Sequence, residues 1–251
     1  MVVLAWRELL HFFRQPLRLL GSLAQPLMLW LLMGSGFAES FRPASDDLNY
    51  SEFFYPGIVL MLLLFAGIFS TITLIEDRSA GFLQGVMVAP VSSLSLVLGK
   101  LVGGSAIALI QSIIFLLLAP LAGFDLSLDM VLHLVLLFAL VGLGFTGFGF
   151  IVAWTMETVA GYHAVMSVVM IPLWLLSGAL FPLESSSAWL RLVMLFNPIT
   201  YTMQTIRGAF YEPLSVLYSS PDFLFALAVT AMWTLICIAV AVGIAAKRAP
   251  A

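Results

Sequence analysis

The chain has 251 residues, 62% of them hydrophobic and 9% charged, with a mean hydropathy of +1.12. No water-soluble domain of this size stays monodisperse with that balance, so the sequence reads as an integral membrane protein. A formal net charge of -3, with no basic block interleaved with aromatics, sets nucleic acid aside as a partner.

The first segment, "MVVLAWRELLHFFRQPLRLL", spaces Arg7, His11, Arg14 and Arg18 along one side of a helix and Val3, Trp6, Leu10 and Phe13 along the other. Residues 1–15 are therefore expected to form an amphipathic helix in the membrane interface, cationic face to water, with Pro16 ending it or opening the next helix. A signal peptide would place its cations before the apolar run, although Gly36 to Ala38 imitates a cleavage site.

A membrane crossing needs about 20 apolar residues. Six runs meet that length, at approximately 19–38, 54–75, 97–122, 130–154, 160–181 and 223–246. None alternates as a barrel strand would, so the expected fold is all-α with six transmembrane helices. With the N-terminus inside, one side receives Arg7, Arg14, Arg18, Arg78, Lys100, Lys247 and Arg248, and the other keeps only Arg42, Arg191 and Arg207. That asymmetry predicts cytoplasmic termini. Residues 39–53 form the only polar external loop of any length, and no loop could hold a folded soluble domain, so residues 1–251 are expected to be a single transmembrane domain. Cys237, the single cysteine, excludes an internal disulfide and reads as a small apolar residue facing lipid or core.

Between the second and third spans lies "EDRSAGFLQGVMVAPVSSLSLVLGK". Arg78 to Ala89 would be about 18 Å long as a helix, too short to cross. Phe82, Leu83, Val86 and Met87 share one side, Pro90 stops the helix, and Ser92-Ser93 can cap the next span. The pattern suits a docking knob and a plain interfacial linker equally. Before the last span, Ala188 to Phe196 and Ile199 to Tyr211 are apolar but too short to cross, and Asn197-Pro198 divides them. Over residues 183–213 this predicts an external re-entrant helical hairpin, with an ordinary surface hairpin as the alternative.

Chemistry is as informative where it is missing from the sequence. A phosphate-binding loop needs G-x-x-x-x-G-K-[ST], whereas Gly99-Lys100 is followed by Leu101. There is no G-x-S-x-G or H-E-x-x-H, and His11, His133 and His163 are too scattered to share a helix face. No catalytic residue and no metal site is expected, and His133 and His163 are expected near the membrane interface.

The 76–100 segment resembles the cytoplasmic loop of type-2 ATP-binding-cassette transporter permeases, whose pattern runs acidic/basic cluster, G-T-L-E, hydrophobics, P-[VL]-S and G-K. "SGALFPLESSSAWLRLVMLFNPITYTMQTIRG" is similar to that family's S-G-x-x-F-P…N-P-x-T-Y…R motif, which marks Asn197, Pro198, Tyr201 and Arg207. "FFRQPLRLLGSLAQPLMLWLLMGSGF" resembles the opening of its multidrug and lipo-oligosaccharide exporter branch. One departure is plain: Phe82 and Gln84 stand where the family has threonine and glutamate.

The resemblance implies a half-permease, a homodimer in a cell membrane of bacterial inner-membrane type. It would work with two copies of a cytoplasmic ATPase subunit, which carry the ATP and Mg, with no cofactor in this chain. A coupling helix in the 76–93 loop would meet that partner through Glu76, Asp77, Arg78, Gly81, Phe82, Leu83 and Gly85. The substrate path would follow the second and fifth spans of the dimer interface, through Phe65, Phe69, Thr73, Met166, Met170, Trp174 and Ser177. Such a lining suits an amphipathic or hydrophobic cargo, whether drug, lipid or lipid-linked saccharide, moved out of the cytoplasm. The rival reading is a self-contained secondary transporter or channel, which would need coupling-ion groups at mid-membrane or matched repeats.

Overall fold

The computed structural model describes residues 1–37, 49–82, 85, 92–183 and 186–247, with the backbone alone at 16–19 and 37. The helices are α1 Val2–Phe13, α2 Pro16–Phe37, α3 Tyr50–Ser70, α4 Ile72–Ser79, α5 Ser93–Leu116, α6 Leu128–Thr155, α7 Val159–Trp174, α8 Ala188–Phe196, α9 Pro198–Tyr211, α10 Leu214–Leu217 and α11 Pro221–Lys247. A 3-10 turn, Ala119–Ala122, follows α5, and a π turn, Leu175–Ala179, extends α7. No strand occurs among the described residues.

Five helical stretches among the described residues are long and apolar enough to cross a membrane: Tyr50–Ser79, Ser93–Leu116, Leu128–Thr155, Val159–Ala179 and Pro221–Lys247. They overlap the second to sixth expected spans. The first expected span falls on α2, whose side chains are described only over residues 20–36, so it is not counted among them. Length and composition thus support five of the six expected crossings among the described residues. Local chemistry sets the boundaries. Pro16 opens α2, where its missing N–H costs nothing. Ser92, Ser127 and Thr158 accept from the backbone N–H groups of Ser95, Met130 and Gly161 at 3.2, 3.2 and 3.1 Å, capping α5, α6 and α7.

The core forms around α3, which packs against α2, α5 and α6, while α11 lies along α6. Phe54, Ile58, Leu60, Leu63, Leu64 and Ile68 are fully buried on α3. Cys237 is buried too, facing Gly147 across the α6–α11 contact, as a small apolar residue fits there. Polar side chains repair the backbone where helices break. Pro56 leaves the Glu52 carbonyl without its helical donor, and the Tyr211 hydroxyl from α9 donates to it at 3.1 Å. Burial pushes the Tyr211 phenol up to about 12, so it remains a donor. At the α3–α4 break, Tyr162 Oη donates to the Ile68 carbonyl at 2.9 Å and lies 2.8 Å from Thr71 Oγ1.

The expected short helix from Arg78 to Ala89 falls largely outside the described residues, as do Leu83 and the 39–48 part of the external loop.

Candidate functional site

The site begins with a small-residue surface on α5. A Cβ at Gly99 would lie 2.9 Å from Leu4 Cβ, and one at Gly103 would lie 2.8 Å from Glu8 Cβ. Their four-residue spacing gives α1 a flat track along which to lie close. Close approach turns Glu8 and Phe12 inward, both buried, while Val3, Trp6 and Phe13 face outward.

Glu8 meets Thr73 from the far end of the α3–α4 stretch and Lys100 from α5, and Lys100 also reaches Asp77. Lys100 Nζ donates to Glu8 Oε1 at 2.6 Å, to Asp77 Oδ2 at 2.5 Å and to Thr73 Oγ1 at 3.2 Å, which uses all three of its N–H donors. Thr73 passes its own proton to Glu8 Oε2 at 2.7 Å. Arg7 grips Asp77 with two N–H groups, at 2.9 and 2.5 Å. Glu8, Asp77 and Lys100 are 3%, 5% and 5% exposed, so three charges sit out of water with Arg7 closing the cluster at its half-exposed edge. Two cations face two carboxylates, and the cluster is neutral. The hydrogen bonds that Arg7 donates to Asp77 raise its pKa above the ordinary value, so its charge is permanent.

Arg78 points the other way, donating to the Trp154 and Met156 carbonyls at 2.8 and 3.0 Å and closing the last turn of α6. Glu76, Gly81, Phe82 and Gly85 are exposed, and the Arg7 guanidinium lies 4.0 Å from the Phe82 ring centroid. Gly81 adopts φ +75°, the left-handed region that favours glycine, and the space where its Cβ would stand is open. Of the expected partner-facing residues, Asp77 and Arg78 thus have their side chains committed within this chain, because buried charge must be paired locally. Glu8 and Lys100 were missed by sequence reasoning. The only available signal was one acid inside a cationic segment, and one lysine inside an apolar span.

The expected substrate-path residues divide. Phe65 and Phe69 line an open cleft of about 450 Å³, with the Phe69 ring against His163, which is exposed. Thr73 belongs to the ion cluster. Met166, Met170, Trp174 and Ser177 are buried inside the chain, with Trp174 Nε1 donating to the Gly57 carbonyl and Ser177 Oγ to Trp174. The outward face of α7 carries Val165, Val168 and Ile171. His133, expected near an interface, is buried against Tyr218 and Phe223.

The hairpin residues act on the break at the end of α7. Gly178 is left-handed at φ +86°, which disrupts the helical ladder. Asn197 caps α9 through Ile199 N at 3.0 Å and donates to the Leu173 carbonyl at 2.7 Å. The Thr200 hydroxyl lies 2.6 Å from the Met194 carbonyl and 3.1 Å from the Leu176 carbonyl, and Arg207 donates to the Gly178 carbonyl at 2.9 Å while lying over the Phe53 ring. Pro198 opens α9, and Tyr201 donates to the Leu195 carbonyl at 2.9 Å. α9 is largely buried, whereas α8 exposes Trp189, Leu192 and Phe196.

Five apolar helical stretches among the described residues, the most buried of them containing α3, with breaks repaired by side chains, define a multi-pass membrane protein. The chain belongs to the ABC-2 type transporter family, whose model matches residues 1–211. It is 32% identical over 227 residues to the putative transport permease ycf38 of Cyanophora paradoxa, covering 89% of this chain and 75% of that one. It is 27% identical over 209 residues to nodulation protein J of Neorhizobium galegae, covering 82% of this chain and 77% of that one. The probable multidrug ABC transporter permease YbhR of Escherichia coli (strain K12) is 25% identical over 179 residues, 68% of this chain and 47% of that one. Permeases of this family work with a cytoplasmic ATPase partner.

Proposed function

We propose that this chain is the membrane permease subunit of an ATP-driven exporter, acting as a homodimer with two copies of a separate cytoplasmic ATPase that hold ATP and Mg. The cargo is an amphipathic or hydrophobic molecule such as a drug, lipid or lipid-linked saccharide, moved out of the cytoplasm of a cell whose inner membrane holds both termini on the cytoplasmic side. In this reading α2 is the first of six spans, and α8 and α9 re-enter the outer leaflet from outside.

The observation that carries the reading is the Glu8–Asp77–Lys100–Arg7 cluster. It clamps α1, the end of the α3–α4 stretch and the start of α5 together, at the point where the chain leaves for Gly81 and Phe82. A force applied to that exposed segment by a motor subunit would reach three helices at once. Lys and Arg support the orientation, since Arg7, Lys100 and Arg78 gather where α1 and the start of α5 meet the end of the α3–α4 stretch. Against a secondary transporter, the buried charges among the described residues pair with one another instead of standing open to a coupling ion.

The test is co-purification of the ATPase subunit with Gly81→Val and Gly85→Leu chains, alongside ATP hydrolysis in reconstituted membranes. Gly81→Val forces a β-branched residue into a left-handed backbone, and both positions have open space beside them. The expected result is weakened assembly, or hydrolysis uncoupled from transport, at normal membrane abundance. Normal assembly and coupling in both variants would make the segment a passive linker.

A further inference from the structure

Gln111 lies well inside α5, 1% exposed, and its Oε1 has no hydrogen-bond partner among the described residues. A buried amide oxygen left that way is costly, and native proteins rarely keep one without a use for it. Gln111 also lines the cleft of about 450 Å³ between α2, α3 and α5, whose other walls are mainly apolar, with Met61, Phe65 and Ile107 among them. A volume of that size matches drug-sized ligands. Glu76 stands at the margin of the same cleft, so an anionic head group would meet a carboxylate there.

We propose that this cleft is a binding site for an uncharged amphiphile bearing a hydroxyl or amide N–H, with that donor on Gln111 Oε1 and the apolar body along Phe65 and Met61. The donor follows from the unpartnered acceptor, and the apolar body from the walls. Absence of an anion follows from Glu76. Binding of this kind is separate from ATP-driven export, since a permease could hold such a molecule as cargo or as a resident lipid.

Gly21 supplies a plug. It lines the cleft, and nothing stands within 4 Å of where its Cβ would be, so Gly21→Leu fills the space without a clash at its root. The experiment places the full chain in phosphatidylcholine nanodiscs with a photoactivatable monoacylglycerol or its dimethyl ether, and maps labelled peptides by mass spectrometry. The monoacylglycerol is expected to label α3 and α5 about five- to tenfold more than the ether, the worth of one hydrogen bond to a neutral group. Gln111→Leu is expected to bring both probes to the ether level while the melting temperature of the probe-free protein holds or rises. Gly21→Leu is expected to abolish labelling by both. Equal labelling by the two probes, untouched by Gln111→Leu, would overturn the proposal, and the probe comparison needs no variant to fold. Copy-to-copy cross-links through the cleft that Gly21→Leu removes would assign it to a second copy of the chain and overturn it as well. Transport and ATP hydrolysis are read separately, so loss of probe binding and loss of export are told apart.

Discussion

Arg7 and Asp77, 70 residues apart, meet through two parallel hydrogen bonds at 2.9 and 2.5 Å. This fork fastens the N-terminal helix to the end of the most buried helical stretch in the chain. Because Asp77 also takes Lys100, and Lys100 takes Glu8, removing any one charge leaves the buried cluster with a net charge.

Lys100→Met is expected to destabilise the protein by about 3–5 kcal/mol, the usual cost of stripping one partner from a buried pair. Asp77→Asn combined with Lys100→Met keeps the cluster neutral and leaves Arg7 beside Glu8, 3.8 Å away. The double variant is expected to be more stable than Lys100→Met alone, by thermal unfolding in detergent. A double variant worse than the sum of its single changes would mean that the cluster does not act as one charge-balanced unit.

Gly103→Leu is expected to lift α1 off α5, because its Cβ alone would come within 3.1 Å of the Ala5 Cα. Overpacking of this kind costs roughly 1–3 kcal/mol. Thiol labelling of an Ala5→Cys reporter should rise in the Gly103→Leu background. Unchanged labelling would mean that α1 is not held by this track.

Tyr211 and Pro56 form a testable couple. Tyr211→Phe should cost about 1 kcal/mol, the net worth of one buried hydrogen bond. In a Pro56→Ala background the restored backbone N–H can serve the Glu52 carbonyl, and the same change should cost less. A double-mutant cycle with no coupling would separate the hydroxyl from the proline break.

Asn197→Ala removes a helix cap and the donor to the Leu173 carbonyl together. A loss of roughly 1–3 kcal/mol is expected. Pro198→Ala, which removes no hydrogen bond, should cost much less in the same unfolding assay.

Much of the fold was legible because apolar length and punctuation are local signals. The second to sixth expected spans, the Ser92 cap and the division at Asn197-Pro198 all follow from residues close in sequence. The cluster was harder. Glu8 and Lys100 are 92 residues apart, and nothing in either neighbourhood names the other. Asp77 was expected to face a partner, and its pairing with Arg7 depends on the packing of α1 on Gly99 and Gly103. The lining of α7 was illegible for another reason. Both its faces are apolar, so composition could not tell buried Met166 and Met170 from outward Val165 and Val168.

The most direct measurement is ATP hydrolysis and cargo transport by the purified chain in proteoliposomes, with and without its partner ATPase. The chain alone is expected to hydrolyse no ATP and move no amphiphile, and both activities are expected together once the ATPase is added. Hydrolysis by the rigorously purified chain, or transport that proceeds without the ATPase, would contradict the account.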